Sequence, residues 1–490
     1  MLRCSVSDDG DRCSACLRLQ EVQSKIRECK ELLEKLYMQE AHTKSSVNAV
    51  HDPIIRNLPL ELVSNILTLC NPSPVEDDEE FGSLPPDAPL ATRRYQISLG
   101  TVCKTWRNIV RSTPQLWTSI YIRFPTKRDK LQQKELLLLS LRLSGSLPLH
   151  IQAWMRRDYR PSEGEHLVLS PLVEMLNDQS ERWKTLDLHV TIHLLSQFKG
   201  GAFGAQTLER LRVYPFGLPN DINGFRVSFG LPSPQIVNAR RTSFSSIGIS
   251  WKGVTRVKIN TLTATECLGL FQVATQLVNL SIGLLGCDDF HPPNSGEVIT
   301  ASNLASWKVE LSAGSDVMLN KLVLPSLVDL DVRKIISLES NSLERLVSRS
   351  KCPLRKISVT QAPGVELDVM PLLRVTPLLE KLVFSCGDSG GIHELLDILA
   401  RTKLVNDISE DPNMMFLPHL ENLSFIGVQD DSPPWHVVPS LFPPTGTWPP
   451  ANSQYRPLRR LEFRIYTDLE VEPPRQGRVA TTAGNPATRL

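Results

Sequence analysis

The chain has 490 residues, a formal net charge of +1, 41% hydrophobic residues and 22% charged residues. These proportions are those of a soluble folded protein, and near-neutrality argues against nucleic acid or an anionic membrane as a general partner. The length exceeds what one core usually organises, which leaves two or three ordinary domains, or a small domain joined to a long repeat array.

Residues 1–50 are expected to hold a short tail and a charged helix over about 17–40. Leu19, Val22, Ile26, Cys29, Leu33 and Leu36 recur at alternating steps of three and four, which is a heptad seam. The seam lasts about three heptads. Two readings follow from it: a coiled coil that makes a homodimer, or an amphipathic helix packed on its own protein.

A second helix is predicted from Asn57 through Leu69, with Asn57 as its cap and Pro59 in its first turn. Leu60, Leu62, Val63, Ile66, Leu67 and Leu69 cover more than one stripe, so this helix is expected to bury two faces. The chain from about 71 to 94 then turns proline-rich and acidic, with the run Glu76-Asp77-Asp78-Glu79-Glu80, and reads as a solvated loop. Helical spacing returns at Leu99, Val102, Cys103, Trp106, Ile109 and Val110. Pro114, Leu116 and Trp117 follow and lead into the alternating Ser119-Ile120-Tyr121-Ile122.

The order Leu58-Pro59-x-Glu61, then Val102-Cys103-x-x-Trp106, then Pro114-x-Leu116-Trp117 resembles the F-box motif. The resemblance spans a domain of residues 54–120 and implies docking onto a Skp-family adaptor, and through it onto a cullin, in a ubiquitin ligase. It assigns the adaptor surface to Leu58, Pro59, Leu62, Ile66, Leu67, Val102, Cys103, Trp106, Leu116 and Trp117. The loop at 71–94 is longer than most F-boxes carry between these helices. With the Leu-rich stretch that ends in Ser144-Gly145-Ser146-Leu147-Pro148-Leu149, it also resembles the expanded F-box-like family of mushroom-forming fungi. Physical reasoning agrees that a helix apolar on two faces, in a segment too short for a robust core, gains stability from a partner.

Residues 121–182 read as a linker and the start of an array. From Trp183 a pattern of apolar-x-x-apolar-x-apolar recurs, with first positions at Leu208, Val254, Leu277, Leu304, Leu327, Leu354, Leu379, Leu420 and Leu458. Most intervals lie inside the window of leucine-rich repeats. The long one between Leu208 and Val254 looks like two periods with one unit disguised, and the last two look like units with insertions. A solenoid over 183–466 with a curved, mostly parallel sheet is expected, so the fold class is α/β with a small all-α module in front. Residues 467–490 read as a disordered tail.

Alternation within each strand puts one side in the core and the other in solvent. The solvent side lines the concave face that solenoids use for recognition. Candidates for contact with an unknown protein substrate are Arg210, Arg212, Tyr214, Arg256, Lys258, Asp329, Asp331 and Arg333, with Asn260, Lys356, Ser358, Lys381, Arg460, Glu462 and Arg464 on the same side. Arginine and tyrosine are enriched at interfaces, and arginine suits carboxylate or phosphate.

Catalytic chemistry is not evident. Cys13-x-x-Cys16 has no second pair or nearby His to complete a zinc site, and His189 and His193, read as two positions of one strand, lack the glutamate of a zinc-protease helix. No phosphate-cradling glycine loop or nucleophile elbow is present. No metal, cofactor or enzymatic activity is therefore expected. The amino terminus has no apolar run of signal-peptide length, and Arg142 interrupts the most hydrophobic stretch, Leu136 to Leu143, so a cytoplasmic or nuclear location is expected. Ten cysteines scattered along the chain do not form a disulfide framework. Two functions compete: the substrate receptor of a Skp-cullin-F-box ligase, and an adaptor-independent interaction scaffold.

Overall fold

The computed structural model describes residues 13–71, 95–124, 130–155, 163–200, 205–216, 227–228, 231–286, 298–312, 314–335, 341–361, 368–385, 390–402, 416–428, 435–442 and 457–465. The acidic run at 76–80 and the tail at 467–490 lie outside them. The chain divides into two compact units, residues 1–190 and 191–490.

The first unit opens with a 38-residue helix, α1 (Ser14–His51), longer than the seam alone indicates. It contains no glycine or proline to interrupt it and ends where Pro53 forces Asp52 out of the helical region, to φ −73° and ψ 108°. Asp52 then caps the next helix, α2 (Pro53–Asn57): its Oδ1 accepts from the Ile54 and Ile55 amides at 2.9 and 3.3 Å. Asn57 therefore closes α2 and does not cap its successor. Helix α3 (Leu60–Leu69) starts after Pro59 with no side-chain cap.

The helical spacing from Leu99 to Val110 resolves into two helices, α4 (Tyr95–Val102) and α5 (Lys104–Ser112). The break is at Cys103. Its backbone is extended, and its Sγ accepts from the Trp106 amide at 3.5 Å, so the Val-Cys-x-x-Trp segment is locally a thiol-capped helix start. Val63, Leu67, Ile109, Val110, Leu116 and Trp117 form the core of these helices.

Three strands follow: β1 (Ser119–Arg123), β2 (Leu149–Trp154) and β3 (Trp183–His189), with α6 (Lys130–Leu143) and α7 (Glu163–Asn177) as connections. Adjacent strands pair in parallel, with Ile120, Ile151 and Leu186 in one row and Ile122, Ala153 and Leu188 in the next. The segment 121–182 is therefore part of a parallel sheet and not a linker. Trp117-x-x-Ile120-x-Ile122 already carries the repeat pattern, but full-length connecting helices stretch its interval beyond the expected window.

The second unit starts with α8 (Ile192–Leu195) and contains ten strands that pair with their sequence neighbours, all in parallel. They are β4 (Arg210–Val213), β5 (Ile236–Ala239), β6 (Arg256–Thr263), β7 (Asn279–Gly286), β8 (Ser306–Leu311), β9 (Asp329–Ile335), β10 (Lys356–Gln361), β11 (Lys381–Ser385), β12 (Asn422–Val428) and β13 (Arg460–Ile465). From Leu208 onward each first position of the pattern stands two residues ahead of a strand. The disguised unit is β5, where Pro234 occupies the first position and Val237 and Ala239 take the inward ones.

Helices α9 (Ala264–Val273), α10 (Ser315–Leu319), α11 (Ser342–Ser350), α12 (Met370–Arg374) and α13 (Gly390–Arg401) lie in the connections. A capping box starts α9: the Glu266 amide donates to Thr263 Oγ1 at 3.1 Å, and Glu266 Oε2 accepts from the Thr263 amide at 3.2 Å. Arg349 joins neighbouring connections by donating from Nη2 to the Leu319 and Leu322 carbonyls at 2.6 and 2.8 Å. Burial lowers its pKa from the usual arginine value.

Strand β7 needs glycine at one position. A Cβ on Gly283 would stand 2.6 Å from the Asn260 carbonyl oxygen of β6, whereas one on Gly286 meets its nearest atom, the Leu262 carbonyl, at 3.8 Å. Gly283→Ala is therefore expected to lower thermal stability by about 1–3 kcal/mol through forced backbone displacement, while Gly286→Ala leaves the melting temperature close to that of the parent. Equal melting temperatures for the two variants would contradict this packing.

Candidate functional site

The ten residues assigned by the F-box resemblance do not share one environment. Leu67, Cys103, Leu116 and Trp117 are buried, at 4% exposure or less. Trp117 Nε1 donates to the Val110 carbonyl at 2.7 Å, and Gln96 Nε2 donates to the Leu116 carbonyl at 2.7 Å. These four hold the helices together and are not open to a partner in this conformation. Leu58, Val102 and Trp106 are half-buried. Pro59, Leu62 and Ile66 are exposed.

The exposed members lie on the outer side of α3. Leu62 is 49%, Ile66 39% and Leu69 85% exposed, at steps of four and three that place them on one stripe, while Val63 and Leu67 turn inward. The expectation of two apolar faces thus resolves into one buried face and one open face. Leu69 is a member the motif does not mark, although its spacing from Leu62 and Ile66 was visible. Ile97 of α4, 38% exposed, is another. Tyr95 fastens α4 to α3 by donating from its hydroxyl to the Leu67 carbonyl at 3.2 Å, and burial, with Cys70 nearby, pushes its phenol pKa up.

Asp52 is the polar tie of this module. While Oδ1 caps α2, Oδ2 accepts a hydrogen bond from Trp106 Nε1, so one carboxylate links the start of α2 to α5. Nothing in the motif indicated it, because an aspartate before a proline is common and its second partner lies far along the chain.

In the second unit the outward residues form rows across the strands. One row runs Arg256, Asn279, Ser306, Asp329, Lys356, Lys381, Asn422 and Arg460; the next runs Lys258, Ser281, Lys308, Asp331, Ser358, Val383, Ser424 and Glu462. Much of their charge is paired within the face. Lys356 Nζ is 2.8 Å from Asp329 Oδ2, and Asp331 takes Arg333 at 3.3 Å and Lys308 at 3.8 Å. Glu462 is held below the usual carboxylate range by the hydrogen bond from Arg464, which outweighs the opposing effect of burial with help from the charges of Arg464 and Arg460. Arg256 and Lys381 are exposed and form no ion pair among the described residues. Arg210 is half-buried and Tyr214 lies under the Arg240 guanidinium, 5.2 Å from its ring centre. Arg212, a candidate for surface contact, is only 5% exposed and so is not available to a partner in this conformation.

The first unit has an outward face of its own, of whose strands the repeat count included β3 but not β1 and β2. Its rows place Tyr121, Gln152 and Asp187 together, and Arg123, Trp154 and His189 beside them. Asp187 and His189 are buried there, with Oδ1 and Nε2 3.0 Å apart. His189 ends β3, whereas His193 lies in α8, so the two do not share the strand expected from their spacing. Among the described residues no three or more of His, Cys, Asp and Glu cluster as a metal site, and no helix is long and apolar enough to cross a membrane.

No protein-family model matches the chain, and no curated protein matches it.

The Asp52 tie has a measurable consequence. Asp52→Ala removes both the cap and the indole acceptor and is expected to cost about 1–3 kcal/mol, seen as faster amide exchange in α2 and at the start of α5. Asp52→Asn, which keeps one acceptor oxygen, is expected to fall between this variant and the parent. Unchanged exchange in Asp52→Ala would show that the tie is unimportant.

Proposed function

We propose that the chain is the substrate-recognition subunit of a Skp-cullin-F-box ubiquitin ligase. The helical module of residues 54–120 would hold a Skp-family adaptor, and the repeat sheet, read as a leucine-rich solenoid, would hold the protein substrate. The observation that carries this reading is the open apolar stripe of Leu62, Ile66 and Leu69 on a helix whose other face is core. A small module that leaves large apolar side chains in water on one face of a central helix is matched to a partner. The ordered motif supplies the chemistry of that partner. Catalysis by the complex is positional: the receptor brings a substrate lysine near a thioester carried by another protein.

The structure refines the choice of test residues. Trp106→Ala disturbs the Asp52 tie as well as any docking surface, so the informative changes are on the open stripe. Leu62→Asp with Ile66→Asp is expected to leave the circular dichroism spectrum unchanged. It should weaken co-purification of a Skp adaptor by on the order of 100-fold or more, since each covered side chain contributes roughly 1.5–3 kcal/mol. Adaptor binding that survives the double change would remove this surface from consideration. Capture of a substrate by the repeat sheet without adaptor or cullin, in the parent protein, would favour the scaffold reading.

For the substrate, Arg256 and Lys381 are exposed cations of the sheet face that form no ion pair among the described residues. Reversing both to Glu is expected to reduce binding of an acidic or phosphorylated peptide by at least about tenfold at low salt, with a smaller effect at high salt. An unmodified neutral peptide should be indifferent to the change, and equal effects on both peptides would exclude charge as the basis of recognition.

A further inference from the structure

Helix α1 carries a surface that neither the adaptor nor the substrate reading uses. Its heptad seam passes through Leu19, Val22, Ile26, Cys29, Leu33 and Leu36 and, beyond Glu40 and Thr43, resumes at Val47 and Val50. The apolar stripe is continuous from Leu19 to Leu36. Leu19, Val22, Ile26, Leu33 and Leu36 are each 49–58% exposed, so no part of the described chain covers them. Near its end the helix is tied down, where Asn48 Nδ2 donates to the Val102 carbonyl at 2.8 Å. It is thus a long helix fixed at one end with an open apolar seam.

The charges beside the seam say what covers it. Positions flanking the core of a coiled coil choose the partner, and here the charged ones are Arg18, Lys25, Lys30 and Lys44. The others, Gln23, Gln39, Ser46, Leu32 and Tyr37, carry no charge, and no flanking position from 18 to 46 is acidic. The acidic residues Glu21, Glu28, Glu31 and Glu34 point away from the seam. Lys25 pairs with Glu21 at 2.7 Å, but both side chains stay more than 60% exposed, which leaves the lysine largely available. A second copy of this helix meets basic flank with basic flank in either orientation. In a parallel, in-register pair, Lys25 would face Lys30 of the other copy, and Glu40 would face its own equivalent inside the seam. Like charges at these positions oppose pairing.

We propose that α1 docks a helix of a different protein, one with an apolar heptad seam flanked by acidic residues, as a heteromeric coiled coil. The arginine and lysine flanks would pair with the acidic ones, and Leu32 and Tyr37 would widen the apolar contact at the centre. This inference rests on α1 alone and does not depend on the ubiquitin-ligase reading.

The test uses the full chain and two synthetic heptad peptides as long as α1, identical at the seam but with Glu or Lys at all flanking positions. By light scattering the chain alone is expected to be monomeric at roughly 10 μM, where a micromolar self-association would already show. The Glu peptide should bind at least about tenfold more tightly than the Lys peptide, and less tightly as salt rises. Its binding should shield Cys29, in the seam, from alkylation while Cys70, also exposed but on the helical module, stays reactive. Lys25→Glu with Lys30→Glu keeps helix-forming residues and leaves the flanks with two acids against Arg18 and Lys44, so it should abolish the peptide preference. A dimer of the chain alone, equal or absent binding of the two peptides, an unchanged preference in the double variant, or an unprotected Cys29 would each overturn the proposal.

Discussion

A single strand of this sheet cannot bury its own apolar side, and most of the second unit follows from that constraint. Leu211, Val237, Val257, Leu280, Trp307, Leu330, Ile357, Leu382 and Leu423 stand in one row across the paired strands, and every one of them is buried. Each contributes roughly 1.5–3 kcal/mol only because its neighbours in the row cover it. The parallel register and the fixed offset between first position and strand both serve to keep that row continuous. At the far end the next inward row carries aromatic rings: Phe463 stacks on Phe425 at 5.3 Å, and Trp435 packs against Phe463 at 5.3 Å.

The helical module solves the same problem differently. It has too few residues to bury every apolar side chain it carries, so α3 divides them between a core face and an open one. Cys103 and Asp52 let it turn sharply between helices without leaving amides unpaired, the first through its thiol and the second through Oδ1, while Asp52 Oδ2 takes the Trp106 indole. Residues of one motif consequently serve different ends. Trp117 and Leu116 make the fold, whereas Leu62 and Ile66 stay exposed.

Charge is handled with similar economy. On the sheet face Asp329, Asp331 and Glu462 are each matched by cations on the same or the adjacent strand, whereas Arg210, Arg256 and Lys381 form no ion pair among the described residues. On α1 the arrangement differs: the charged residues that flank the seam are all basic, and the acids other than Glu40 sit on the outer side. A nearly neutral chain can therefore present locally basic surfaces, and the overall charge of +1 conceals them.

Periodicity and alternation are properties of neighbouring residues, and for that reason the sequence by itself determined the parallel repeat from Leu208 onward, the hidden unit between Leu208 and Val254, and the heptad seam of α1. It also placed helices around Leu60 to Leu69 and Leu99 to Val110 from their apolar spacing. Tertiary structure alone decided which of these residues are open. That Leu69 is exposed and Arg212 buried, that Asp52 reaches Trp106, and that β1 and β2 already belong to a parallel sheet depend on groups far apart in the chain meeting in space. Burial is a property of all the atoms around a side chain, and no local pattern contains it.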